Sequence, residues 1–190
     1  MEAPMNPQRL IVIGSSAGGV QALITLVSAL PRHFGTPICI AQHIPPLSSS
    51  RLPAILTHWG NLLASHPLDG ACLAAGAIFL APPDHHLSVR GEHVMVTPAL
   101  RERPSPSVNR LFASAARSYG PGVIGVILTG MLTDGTAGLQ AVKQAGGTTI
   151  IQDPLEAAYP SMPQSAQDHC PIDYCLALAQ IAPLLQALDS

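Results

Sequence analysis

The 190-residue sequence is poor in charge: 11% of its residues are Asp, Glu, Lys or Arg, against about 25% in an average soluble protein. Nine Lys and Arg stand against eleven Asp and Glu, a formal net charge of −2. That balance provides no basic face for a polyanion, so composition excludes nucleic acid as a partner and gives no pull towards an anionic membrane surface. Long hydrophobic runs are also missing. A membrane span needs about 18–20 apolar residues, and every apolar stretch here is cut short by a charge, a proline or a glycine. The opening MEAPMNPQRL has no apolar stretch behind a basic start, so it does not read as a signal peptide. A soluble, cytoplasmic protein without direct membrane insertion is expected. Cysteine is scarce and badly spaced for metal: Cys39, Cys72, Cys170 and Cys175 form no CxxC pair, and Cys39 lies in an apolar run where a thiol acts as a small hydrophobe. Neither a zinc site nor a structural disulfide is expected, and no cofactor is called for.

What is present is core material. At 47% hydrophobic, the chain can bury one sizeable core, and residues 1–190 are expected to form a single domain with 1–9 as a flexible tail. Apolar runs rich in Ile and Val recur at 10–14, 36–42, 77–82, 123–130 and 148–153. Their continuous apolar character suits parallel strands covered on both faces. Between them, Val20, Leu23, Ile24 and Val27 mark one helical stripe, and Val108, Leu111, Phe112 and Ala115 another. Further helices are expected at about 48–59, 136–145 and 172–188, with a short one after Pro154. Alternating strands and helices give an α/β fold. One segment departs from it: 87–90 and 93–97 alternate around Gly91, the pattern of an antiparallel β-hairpin. Ser107 is placed to cap the helix from Val108.

The chemistry gathers at three strand ends. The first strand runs into Gly14-Ser15-Ser16-Ala17-Gly18-Gly19, so Ser16 is the centre of a GxSxG, a sharp strand-to-helix turn that exposes a serine hydroxyl beside backbone N–H groups. The same turn lacks the lysine of a phosphate-binding loop and the second glycine of a dinucleotide fingerprint, which weighs against a nucleotide site. An unactivated serine is a poor nucleophile and needs a base oriented by a carboxylate. His43 follows the second strand and Asp134 follows the run at 123–130, so both fall at the carboxyl edge with Ser16, where open α/β sheets place ligands. Alternative roles exist: His43 as a solvated strand end, Asp134 as an ordinary turn or helix cap. Backbone N–H groups of Ala17, Gly130 and Met131 are candidates to hold an oxyanion or line the pocket. Asp84-His85-His86 is more simply the opening of the hairpin than a metal pair, since adjacent side chains on a strand diverge. Asp153 and Glu156 are read as turn caps, Met131, Met162 and Tyr159 as pocket or core residues.

Taken in order, IVIGSSAGG (11–19), IAQHIPP (40–46), APPDHHL (81–87), RPSPSVNRLF (103–112) and GVILTGMLTDG (125–135), with AGG at 145–147 and SMP at 161–163, resemble the signatures of the chemotaxis receptor methylesterases, the CheB family of protein-glutamate methylesterases. The resemblance runs from about Leu10 to Leu188 and implies a doubly wound, mainly parallel sheet with an antiparallel hairpin. It implies Ser16 as nucleophile, His43 as general base and Asp134 as the residue orienting His43. It further implies hydrolysis of glutamyl methyl esters on the cytoplasmic helices of methyl-accepting chemoreceptors, with glutamine deamidation in many members and no cofactor. Members of the family usually carry a receiver domain ahead of this region; none is recognised in this sequence, which raises a receiver-domain protein acting in trans as a partner. Three departures stand out: Ala17 where Thr is frequent, Leu132 where Gly is usual, and Asn109 where Asp is usual. They are expected to alter pocket shape and polarity. A hydrolase of the same scaffold with another ester or amide substrate, and a non-catalytic binding module, are the competing readings.

Overall fold

A computed structural model describes residues 8–43, 50–100 and 104–189 of the chain. The tail expected at 1–9 lies mostly outside the described residues, as do Ile44-Pro45-Pro46 and the predicted helix start at 48. Seven strands form a parallel sheet: β1 (Leu10–Ser15), β2 (Ile38–Gln42), β3 (Leu63–Ser65), β4 (Ala77–Leu80), β7 (Val123–Ile127), β8 (Thr148–Gln152) and β9 (Tyr174–Leu176), in spatial order β3-β4-β2-β1-β7-β8-β9. A separate antiparallel hairpin pairs β5 (His85–Arg90) with β6 (His93–Pro98), opposing Val89 to Val94 across the Gly91 turn. Helices α1 (Gly19–Ser28), α2 (Leu52–Trp59), α3 (Val108–Tyr119), α4 (Thr136–Gln144), α5 (Ser161–His169) and α6 (Leu178–Leu188) cover the sheet.

The continuous apolar strands are explained by two cores, one on each face. On β1, Leu10 and Val12 enter a cluster with Leu111, Phe112, Leu139 and the hairpin residue Val94. Ile11 and Ile13, one residue out of phase, enter the opposite cluster with Leu23, Leu26, Leu56 and Leu185. Alternate residues of a strand face opposite sides, so a centre strand between two helical layers must be apolar throughout.

Several sequence expectations shift in detail. The stripe on α1 is rotated: Ala22, Leu23, Leu26 and Val27 are buried, while Val20 is exposed, because the helix starts at Gly19 and its first turn passes along the open edge. The predicted helix at 172–188 contains β9 first and begins only at Leu178. Strands β3 and β9 are three-residue edge strands, too short to show a period. The stripe on α3 is fully buried as read, and Ser107 caps it by accepting the Arg110 N–H at 3.3 Å.

Two carboxylates staple distant segments. Asp189 accepts the N–H groups of Gly35 (2.9 Å) and Thr36 (2.7 Å); burial disfavours its charge, but these donors and the Thr36 hydroxyl outweigh that and hold it below the usual carboxylate range. Asp173, paired with Lys143 and receiving the Thr149 N–H, is likewise held low against its partial burial. All four cysteines are free.

The route of the chain decides where a site can form. From β1 it moves to β2 and out to the edge strand β3, comes back to lay β4 between β3 and β2, and later places β7 on the other side of β1. The crevice beyond the carboxyl ends of β2, β1 and β7 is therefore the topological switch point. Over it lies the start of α3, drawn in by Gly14: a Cβ at that position would collide with the Val108 side chain.

Candidate active site

Ser16, His43 and Asp134 follow β1, β2 and β7, three strands that are neighbours in the sheet, and their side chains meet. Ser16 Oγ lies 3.1 Å from His43 Nδ1, and His43 Nε2 lies 2.9 Å from Asp134 Oδ2. With a carboxylate on one ring nitrogen, the proton sits on Nε2 and donates to Asp134, which leaves Nδ1 to accept the Ser16 hydroxyl. The ring thus uses its two nitrogens in the opposite sense to the serine-protease arrangement, where Nε2 meets the serine. The Asp134 side chain is 6% exposed and that of His43 17%, so the carboxylate is shielded from water while the imidazole opens towards a ligand.

Asp134 is fixed by more than the histidine. Its Oδ2 also accepts the Val108 N–H (2.8 Å) and its Oδ1 the Asn109 N–H (3.1 Å). These are amides of the first turn of α3, which have no partner inside the helix and carry the positive end of its dipole. Asp134 therefore caps α3 and not, as a local reading suggests, its own helix α4, whose N-cap is Gly135. The debt is returned by Asn109, whose Oδ1 accepts the N–H groups of Gly135 (3.1 Å) and Gly138 (2.7 Å) at the start of α4. The expectation that Asn109 alters pocket polarity is corrected here: its amide oxygen faces α4.

The Ser16 turn is held from both sides. Ser16 N–H donates to the Thr129 carbonyl (3.1 Å), and the Thr129 hydroxyl accepts the Tyr159 N–H (2.8 Å) and donates to the Ala17 carbonyl (3.1 Å). From the β2 side, buried Gln42 donates its Nε2 to the carbonyls of Ser16 (2.8 Å) and His43 (2.9 Å), while its Oε1 accepts the Ser15 hydroxyl (2.6 Å). Sequence reasoning missed Gln42; the signal was a lone polar residue closing an apolar strand directly before the histidine. It also missed Gln152, whose Oε1 takes the Thr129 N–H at 2.9 Å.

Of the three amides considered for an oxyanion, Gly130 drops out, because its N–H donates to the Tyr159 carbonyl at 2.9 Å and its carbonyl takes the Met162 N–H. The N–H groups of Ala17 and Met131 have no acceptor among the described residues. Met131 and Leu132 are both exposed, and Leu132 stands at φ +66°, a left-handed conformation that costs a bulky residue about 1–2 kcal/mol. His86, Asp153, Glu156 and Met162, read as structural, make structural contacts, whereas Tyr159 and Met131 are exposed. His86 Nδ1 accepts the Ser107 N–H (3.0 Å), Asp153 caps Leu155 N–H (2.9 Å), and Glu156 accepts from Gln152 and from Leu178 N–H. Met162 is buried in the core. Among the described residues no cluster of three His, Cys, Asp or Glu could hold a metal ion, and no helix is long and apolar enough to cross a membrane.

Comparison with known proteins agrees with the residue-level resemblance. The family model described as CheB methylesterase matches residues 11–185. A relative from Leptospira interrogans is 38% identical over 182 residues, 94% of each chain. A protein-glutamate methylesterase/protein-glutamine glutaminase of Myxococcus xanthus is 38% identical over 181 residues, which are 89% of this chain and 52% of that longer one. The crystal structure of the Thermotoga maritima CheB methylesterase catalytic domain superposes with a TM-score of 0.87 at 33% identity, covering 95% of this chain and 98% of that one. With the family model matched over residues 11–185 and a relative 38% identical across 94% of each chain, the chain belongs to the CheB methylesterase family.

Proposed function

We propose that this chain is a serine hydrolase that removes methyl esters from glutamate side chains of chemoreceptor helices, a protein-glutamate methylesterase that also deamidates glutamine. The observation carrying this reading is the hydrogen-bonded sequence Ser16 Oγ, His43 Nδ1, His43 Nε2, Asp134 Oδ2, at 3.1 and 2.9 Å. The curated relatives of this length and of about twice this length share the methylesterase name or family, which supports the substrate class.

In this reading Ser16 Oγ attacks the ester carbonyl carbon as its proton passes to His43 Nδ1. The imidazolium that forms is stabilised by Asp134 across Nε2, and Asp134 is prepaid for that task by the α3 amides that hold it. The tetrahedral oxyanion takes the N–H groups of Ala17 and Met131. Its collapse breaks the C–O bond to the methoxy group, which leaves as methanol with the proton from Nδ1. Water, deprotonated by the same nitrogen, then adds to the acyl-serine ester, and Ser16 departs with the proton restored, leaving a glutamate carboxylate. A glutamine side chain follows the same steps with ammonia as leaving group. Asp134 needs no proton of its own at any step.

The test is methanol release from membranes bearing a methylated chemoreceptor. Wild-type protein should release methanol, and Ser16→Ala should lower the rate by at least about 10³-fold, the scale on which serine hydrolases lose kcat with their nucleophile. Release that survives in Ser16→Ala would overturn the mechanism. Turnover of small esters with no release from the receptor would overturn the substrate and leave a hydrolase of another ester or amide.

A further inference from the structure

Gln42 is 5% exposed, yet it packs none of its polar atoms idly. Its Nε2 hydrogens reach two backbone carbonyls, those of Ser16 and His43, and its Oε1 receives the buried Ser15 hydroxyl. Both donors and one of the two acceptor lone pairs of the amide are thereby used, with distances of 2.6 to 2.9 Å, so the side chain has one orientation. The Ser16 carbonyl receives a second donor, the Gly19 N–H at 2.9 Å. That carbonyl belongs to the same peptide unit as the Ala17 N–H. The unit is trans, and in a trans unit the N–H points opposite to the C=O. Two donors pulling the carbonyl inward therefore aim the Ala17 N–H outward, to the half-exposed side of the turn, where it has no acceptor among the described residues.

We infer that Gln42 is a positioning residue: by holding the Ser16 carbonyl it aims the Ala17 N–H at the oxyanion, and by holding the His43 carbonyl it ties the base to the same peptide plane. The inference rests on the reading of Ser16 as nucleophile. It also explains the second glycine of the turn. A Cβ at Gly19 would run into Gln42 Oε1 and into the Ser15 side chain, so any larger residue there must displace the glutamine. Gly18 answers a different need, a left-handed φ of +74°. The pair of glycines thus splits into one for backbone conformation and one for the glutamine.

Three variants test this with p-nitrophenyl acetate as substrate and an aryl trifluoromethyl ketone as a probe that becomes an oxyanion on adding to serine. Gln42→Met keeps the length and loses both donors; Gln42→Glu keeps the acceptor for Ser15 and loses the donors; Gly19→Ala leaves residue 42 unmutated and pushes its side chain aside. In each, kcat should fall about 10²-fold, the scale of one oxyanion donor, with KM within about threefold. The inhibition constant of the ketone should weaken by the same factor as kcat/KM, as expected when the lost interaction belongs to the transition state. Labelling of Ser16 by a fluorophosphonate should slow but persist. A purely structural role would lower the melting temperature and leave the kcat of the folded protein and the ketone affinity together near wild type; that result overturns the inference. Equal weakening of substrate and ketone also overturns it. Should Gln42→Met not fold, Gly19→Ala carries the same expectation and the same refutation. If wild-type protein shows no Ser16-dependent turnover at all, the reading of the site has failed, and the pattern among these variants separates the two failures.

Discussion

On the β1–β2 side of the site, Ser16 and His43 are joined by one buried side-chain amide, whereas on the β7 side Asp134 is held by the first turn of α3, and Asn109 of α3 in turn holds the start of α4. The first arrangement is local, dry and aimed at two backbone carbonyls. The second is shared with the packing of two helices, and the loop between, at Met131 and Leu132, is exposed and strained. A residue on the first side can therefore be changed with loss of chemistry and modest loss of fold. On the second side the proposed activity and stability are coupled, because the carboxylate that meets His43 is also a helix cap.

The largest expected effect separates those two duties. Asp134→Asn keeps one oxygen, enough for one of the two α3 amides, and loses the negative charge facing His43 Nε2; kcat should fall about 10³–10⁴-fold, with a smaller loss of stability than on removing both acceptors. Asp134→Ala should lose as much activity and also about 1–2 kcal/mol of stability, since the Val108 and Asn109 amides lose their acceptor. Denaturant unfolding of both variants beside kinetics gives the contrast, and equal stabilities would show that the cap contributes nothing.

Asn109→Ala comes next. It leaves the Asp134 acceptors intact, because those bonds use the Asn109 backbone, but removes the cap from Gly135 and Gly138. Stability should drop by about 1–2 kcal/mol, with kcat reduced less than about tenfold. A loss of activity as deep as that of Asp134→Asn would mean that the α4 start, not the α3 start, aims the carboxylate. Smaller still is Leu132→Gly. Relief of the left-handed strain of about 1–2 kcal/mol is offset by the backbone entropy of glycine, about 0.5–1 kcal/mol. The net change should be a gain of up to about 1.5 kcal/mol in thermal unfolding, with turnover of small esters retained.

The smallest effect lies far from the site and serves as its control. Asp189 has its folded-state pKa lowered by the Gly35 and Thr36 donors, so it contributes stability that is present above the pKa of an unfolded aspartate, about 3.9, and lost as pH falls through the lower folded value. Asp189→Asn should therefore destabilise at neutral pH and converge on wild type as the solution is acidified below about pH 4, with kcat at neutral pH unaffected. Divergence on acidification would reverse the sign and contradict the assignment.

How much of this was legible in the sequence follows from where each signal sits. Strands β1, β2, β4, β7 and β8 announce themselves because a centre strand between two helical layers is apolar on both faces over most of its length. The edge strands β3 and β9 do not, because three residues with one open face carry no period. The juxtaposition of Ser16, His43 and Asp134 was legible because each follows a recognisable strand at the same edge. The roles of Gln42 and Asn109 were not, since they depend on which backbone groups meet across the fold: Gln42 on a carbonyl 26 residues away, Asn109 on amides 26 and 29 residues away. A substitution of Asp by Asn looks like a change of pocket charge in sequence and is a change of helix cap in space. Similarly, Gly130 looked like a free amide in a loop, and only the packing of Tyr159 beside it shows that its N–H is spent.

The most direct test of the central claim, that His43 and Asp134 activate Ser16, is mass spectrometry of the protein after brief exposure to a fluorophosphonate. The account predicts a single phosphonyl adduct on the peptide containing Ser16, formed about 10²-fold or more slowly in Asp134→Asn and absent in Ser16→Ala. An unlabelled Ser16, or an adduct on another residue with ester turnover intact in Ser16→Ala, would contradict it.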